Sequence, residues 1–428
     1  MHIDPRKCVA CGNCLAVCPV SAIYIDPVIR RATVNLDECV ECYACHNRMS
    51  KEDLNPTLVR TIRGLFKLLR IRFDPEPDVC PTSAFAPQKL AWPRSIRQAF
   101  SDPCVPHEST GIYGRGTEEV KTNDVTNRVG PGEVGFTVEF GRPAVGARFR
   151  EVQAVTMALA RIGAAFEKNN PVTALMPDPT TGAINPEVLD EKVLSAIVEV
   201  KTPEALLPAV LRTVEEVSAT LNTVVSVGVA VRCDGDGAHD DEHPSPLWAS
   251  GKLPGRLHRL HPELQGPERC RLHPEAQGVP AHGAAPPAGD DLAVPVRLDR
   301  PARRALEPAH PLDAAGPGPD GGADHRGHHQ GPHRGGHLRH AGGHGGLPAG
   351  GQGGRLDRLP ERPVLELSTM CGHSMLSPNL ARKMLEWVCE GRRTPEQAAA
   401  TLGRFCSCGI FNPARAVRLL EAAQGGNR

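Results

Sequence analysis

A chain of 428 residues is long enough for two to four domains. Its 49 Lys and Arg balance 49 Asp and Glu, and this zero net charge argues against a general nucleic-acid binder, while no apolar run approaches the ~18 residues of a membrane span. Fifteen cysteines, with a cysteine motif beginning so early that no secretion signal fits before it, indicate metal ligation in a cytoplasmic protein rather than disulfides.

The first motif is Cys8-x2-Cys11-x2-Cys14-x3-Cys18-Pro19, a bacterial iron–sulfur pattern. The second, Cys39-x2-Cys42-x2-Cys45, lacks a fourth cysteine at the same distance. Two near-copy heptads supply it: Val17-Cys18-Pro19-Val20-Ser21-Ala22-Ile23 and Val79-Cys80-Pro81-Thr82-Ser83-Ala84-Phe85. Cys80 is therefore the expected eighth ligand, displaced by an insert over residues 46–79. Three thiolates on one tight loop cover three corners of a cubane, and in two-cluster ferredoxins the Cys before Pro serves the other cluster. The expected sets are Cys8, Cys11, Cys14 and Cys80 on one 4Fe-4S cluster, and Cys39, Cys42, Cys45 and Cys18 on the second. A doubled triplet with Cys-Pro is a poor zinc pattern. Residues 1–100 thus read as a bacterial dicluster ferredoxin domain, with short strands around 2–4 and 34–36. Within the insert, Asn55-Pro56-Thr57 starts a helix through Arg70 that is amphipathic and basic. Packing on the domain, docking of an acidic redox partner and membrane-surface binding are all open for it.

Residues 101–232 read as an α+β domain, a sandwich of βαβ units. Strands are expected at 133–140, 194–200 and 223–231, with helices over 150–166 and from Thr202-Pro203-Glu204 onward. The preceding Gly-, Thr- and charge-rich loop could wrap an anion with Arg115, Lys121 and Arg128, or be a plain solvated loop.

Residues 233–362 are irregular and of low complexity. From 253 to 367 there is no Ile, Lys, Asn, Thr, Ser, Met, Phe, Tyr or Trp, and 14 of the 18 histidines fall between His239 and His344. Every residue type there except Cys can be encoded by a codon starting with G or C. A frame slip in a GC-rich gene produces that vocabulary, so compensating frameshifts are the leading reading. A disordered linker and a His-rich metal reservoir are the rivals. No compact core is expected.

Residues 363–428 form a small helical segment. Ser377-Pro378, the capping box Thr394-Pro395-Glu396-Gln397 and Asn412-Pro413 each open a helix. Cys371, His373, Cys406 and Cys408 could converge as a third metal or cluster site, or be buried free thiols at a helix junction.

The strings Gly114-Arg-Gly-Thr-Glu-Glu-Val-Lys-Thr-Asn-Asp-Val-Thr-Asn-Arg128, Gly141-Arg-Pro-Ala-Val-Gly146, Ser368-Thr-Met-Cys-Gly-His373 and Cys408-Gly-Ile-Phe-Asn-Pro413 resemble the 6-hydroxynicotinate reductase family. The resemblance covers about 1–235 and 363–428, and it lapses between. It implies a ferredoxin-linked oxidoreductase, fed by reduced ferredoxin or another redox protein. Its substrate would be a small aromatic carboxylate of nicotinate degradation, reduced at a ring double bond. Arg115, Lys121, Arg128 and Arg142 are candidate carboxylate holders, and Glu118, Glu119, Asp124 and His373 candidate proton donors. A flavin between clusters and substrate is open, without a motif. The alternative function is a non-catalytic electron-transfer subunit of a separate enzyme.

Overall fold

The computed structural model describes residues 1–71, 76–107, 109, 111, 128–232, 255–260, 355–407 and 409–425. The chain divides into two units, residues 1–271 with 350–428 and residues 272–349, and every described residue lies in the first.

Each copy of the cysteine repeat folds in the same way. β1 (His2–Ile3) pairs antiparallel with β6 (Phe85–Ala86), as β3 (Ala32–Val34) does with β2 (Ile23–Ile25). Asp4 N donates to Ala84 O, and Asn35 N to Ala22 O, both at 2.8 Å. Cys8 N donates to Asp4 O, and Cys39 N to Asn35 O, both at 2.9 Å. β3 stops at Val34 rather than running to 36, because Asn35 turns the chain and its Oδ1 accepts from Asp37 N. Left-handed residues also recur in register. Ala10 and Glu41 precede the second cysteine of each triplet, Gly12 and Tyr43 follow it, and Ser21 and Ser83 lie three residues beyond Cys18 and Cys80. Non-glycine residues pay roughly 1–2 kcal/mol for that conformation, so its recurrence marks the sharp wrapping of each loop. Short helices follow the second cysteines, α1 (Asn13–Val17) and α2 (Ala44–Asn47).

The insert runs through β4 (Ser50–Lys51), which lies parallel to β5 (Val79–Cys80), and α3 (Pro56–Leu68). Asn55 Oδ1 accepts from Thr57 N and Leu58 N, capping the helix as its sequence dictates. No residue of α3 is buried. Its contact with the domain is made by arginines: Arg60 donates to the carbonyls of Pro5, Arg6 and Cys8, and Arg63 to that of Ala10. Val59 and Phe66 are half-buried as well, while Leu58, Ile62 and Leu65 stay exposed.

After α4 (Ser95–Ala99) comes the middle domain: β7 (Glu133–Phe140), β8 (Ala147–Arg148), α5 (Phe149–Arg161), β9 (Ala165–Phe166), β10 (Lys192–Val193), β11 (Ala196–Pro203), α6 (Leu207–Ser218), β12 (Val225–Arg232) and β13 (Gly255–Leu260). The sheet order is β13-β12-β7-β11-β9. β7 is antiparallel to β11 and β12, and β9 is antiparallel to β11. The βαβ units are thus split: β7–α5–β9 crosses over β11, and β11–α6–β12 crosses over β7. This is the βαββαβ sandwich of the ferredoxin-like type, not a run of adjacent parallel strands. α5 ends at Arg161 rather than 166, because Gly163 turns left-handed and the chain re-enters the sheet as β9. β13 pairs parallel with β12, an ordered strand inside the region expected to lack structure. Residues 355–362 are also ordered, with Arg355 N donating to Thr223 O at 3.1 Å.

Four helices close the chain: α7 (Arg362–Ser368), α8 (Pro378–Cys389), α9 (Pro395–Gly403) and α10 (Pro413–Gly425). α7 had no counterpart in the sequence reading. The Thr394/Gln397 capping box forms. The helices share one apolar core with the cysteine repeat, centred on Leu380, Met384, Leu402 and Phe405 beside Val17, Ile23 and Phe85. Ser377 Oγ donates to Cys18 O at 3.1 Å, and Arg404 pairs with buried Asp78 next to β5.

Candidate metal centre

The eight motif cysteines divide four and four between two cavities. Cys8, Cys11, Cys14 and Cys80 line the first, with Ile3, Met49 and Phe85. Cys18, Cys39, Cys42 and Cys45 line the second, with Met1, Ile23 and Tyr43. The two are alike in size, about 330 and 370 Å³ including their open mouths. Backbone N–H groups point at the sulfurs in matching ways: Ala22 N donates to Cys18 Sγ at 3.2 Å and Ala84 N to Cys80 Sγ at 3.3 Å. Cys8 Sγ accepts from Ala10 N and Ala32 N at 3.4 Å.

Burial pushes the thiols of Cys11, Cys14, Cys18, Cys42 and Cys45 up, and that of Cys39 to about 11. Bare thiolates are costly there, whereas bound metal supplies the positive charge that ionises them. Among the described residues no three His, Cys, Asp or Glu side chains converge closely enough to hold one metal ion. Four thiols spread round a cavity, with amide donors on the sulfurs, fit a polynuclear centre better than a single zinc.

Residues 1–48 match the family of the 4Fe-4S dicluster domain. Two Ferredoxin-1 sequences from Rhodobacter capsulatus are each 43% identical to the chain over 47 residues, which are 11% of this chain and 69% of the relative. Through these residues the chain belongs to the 4Fe-4S dicluster ferredoxin family. No solved structure matches the chain. The N-terminal part is a ferredoxin-like iron–sulfur electron-transfer domain. Among the described residues no helix is long and apolar enough to cross a membrane.

The dicluster domain is joined to the middle domain beside its second cavity. Arg97, 4% exposed, donates to the carbonyls of Leu36, Asp37 and Cys39 and pairs with Glu191. Lys192 pairs with Glu38, and Arg148 with Asp37 at 2.7 Å. The Gly141–Gly146 loop makes the close approach. A Cβ on Gly146 would lie 2.9 Å from Lys192 Cε and 3.7 Å from Val20 Cγ1, and Val20 lines the second cavity. Buried Glu41, between two cavity cysteines, accepts from the Met1 ammonium at 2.6 Å and from Arg94 at 2.6 and 3.0 Å. None of these partners was visible in sequence, since all but the chain's cysteine spacing is long-range.

Other candidate residues are scattered. Arg115, Glu118, Glu119, Lys121, Asp124 and Cys408 lie outside the described residues. Arg128 pairs with Glu167 at 3.2 Å and Glu199 at 3.5 Å. Arg142, in the loop after β7, lies 3.4 Å from Ser195 Oγ and 3.6 Å from Glu139. Cys371 and Cys406 are buried and hydrogen-bonded to each other, which together with burial raises the Cys371 thiol well above its usual range. His373 is half-buried two residues away.

Proposed function

We propose that the chain is a ferredoxin-linked oxidoreductase resembling 6-hydroxynicotinate reductase, acting in the cytoplasm on a small hydroxylated pyridine carboxylate. Cys8, Cys11, Cys14 and Cys80 hold one 4Fe-4S cluster, and Cys18, Cys39, Cys42 and Cys45 the other. Bound clusters supply one-electron storage and transfer. The surrounding residues fix the loops, exclude water and aim amide dipoles at the sulfurs. Reduction of a ring double bond consumes two electrons and two protons, and the middle and C-terminal parts hold the substrate. The observation that carries this reading is the joint at the second cavity, where Arg97 and Lys192 of the α4 and β10 region tie the cysteine loop to the middle domain.

A second reading, an electron-transfer subunit serving a separate enzyme, is favoured by one observation. The two described carboxylate-holder candidates, Arg128 and Arg142, already face Glu167, Glu199 and Glu139. The test is anaerobic incubation of the purified, chemically reduced chain with 6-hydroxynicotinate. Consumption of two electrons per substrate supports the first reading. Full reduction of the protein without substrate turnover supports the second.

A further inference from the structure

Seven of the 14 large apolar side chains left exposed among the described residues lie between Leu54 and Ile71. They are concentrated on α3 and its C-terminal cap, where Leu58 (59% exposed), Ile62 (43%), Leu65 (51%) and the capping Leu69 (57%) recur at spacings of four, three and four. That spacing places them on one face of the helix. The inward face is occupied by Arg60 and Arg63, gripping carbonyls of the first cysteine loop. The leucine stripe thus faces out, while Arg60 and Arg63, with half-buried Val59 and Phe66 beside them, lie toward the domain. Burying such a stripe is worth roughly 25 cal/mol per Å², so leaving it exposed costs stability that a partner can recover.

Charge and size select the partner. No Asp or Glu occurs from residue 54 to 73, while Arg60, Arg63, Lys67 and Arg70 do, and exposed Arg6 and Lys7 lie in the loop that Arg60 holds. With Arg60 and Arg63 turned inward, the exposed cations Arg6, Lys7, Lys67 and Arg70 flank the leucine stripe rather than lie on it, and a second copy would bring these like charges together. A helix of 13 residues spans ~20 Å, too little for a stable dimer and suited to the small, transient contacts of redox proteins.

We propose that the outward face of α3 docks a small acidic electron-transfer protein, which hands single electrons to the dicluster domain on its first-cavity side. This rests on the dicluster reading above. One electron leaves the partner's reduced centre and enters the domain, and no bond or proton is moved. Opposite charge raises the encounter rate, and the apolar stripe sets the contact once formed.

The test uses the full chain, loaded anaerobically with iron and sulfide, and a fluorescently labelled, small acidic ferredoxin as probe. Binding is followed by anisotropy at low and at physiological ionic strength. Ile62→Gln/Leu65→Gln and Lys67→Glu/Arg70→Glu should each weaken binding by about tenfold or more, the second pair also flattening the salt dependence. Iron content and reduction by methyl viologen should be unchanged in both, since no α3 residue belongs to the core. The proposal is overturned if the wild type, normally loaded and reduced by viologen, does not bind the probe, or binds it equally in the variants. It is also overturned if Ile62→Gln/Leu65→Gln instead abolishes binding to phosphatidylglycerol vesicles or a concentration-dependent dimer. A chain that takes up no iron removes the dicluster reading, and this proposal with it.

Discussion

The first cavity is backed by a surface insert and the second by a domain joint, although both are built from copies of one motif. Behind Cys8 and Cys80 stands α3, whose arginines reach only backbone carbonyls. Behind Cys18 and Cys39 stand Glu41, Arg97 and Lys192, buried and paired with opposite charges from distant parts of the chain. The matching half of each copy fixes thiols and amide donors, and the differing half fixes what lies behind each cavity. A duplicated sequence can thus yield a domain with an outer and an inner side.

The comparison can be broken hardest at the joint. Arg97→Ala leaves Glu191 and three carbonyls without their buried donor, and loss of one partner of a buried pair typically costs about 3–5 kcal/mol. Denaturant unfolding should show that loss, with the signals of the second site perturbed and those of the first unchanged. A core substitution under the same side, Leu380→Ala, should cost about 2–5 kcal/mol by thermal unfolding, whereas Leu65→Ala on the outer helix should stay within roughly 0.5 kcal/mol.

A pH effect separates the middle domain from both cavities. His107 is 2% exposed, edge-on to Phe100 at 4.9 Å, and burial holds its pKa down to about 4 from 6.5. A depressed imidazole is neutral in the fold and takes a proton more readily when unfolded. Stability from this source is therefore present above pH 6.5 and is lost as pH falls toward 4, by up to roughly 3 kcal/mol. His107→Gln should flatten the unfolding midpoint across that range. A local effect is expected at the outer helix: Asn55→Ala removes the cap of α3 and should cost about 1 kcal/mol of helix stability, read by amide hydrogen exchange in residues 57–60.

The cysteine repeat was legible because ligand spacing is a local constraint, and the Val-Cys-Pro heptads carried it across the insert to Cys80. The presence of α3 was legible from Asn55-Pro56, but its orientation was not. Arg60 and Arg63 donate to carbonyls more than 50 residues away, which no periodicity encodes. Alternation marked β7, and the other two long middle strands formed within three residues of their expected spans, yet their split pairing depends on which strand reaches β7 first, and sequence pattern is silent on that. α7 escaped notice because seven residues with Pro363 at their start give little more than one apolar turn.

The account turns on Cys80 as the eighth ligand. Iron and acid-labile sulfide should be counted on the anaerobically purified wild type and on Cys80→Ala, alongside electron paramagnetic resonance of the reduced proteins. The prediction is about eight irons falling to about four, with one of two coupled cluster signals lost. Eight irons and both signals in Cys80→Ala would contradict it.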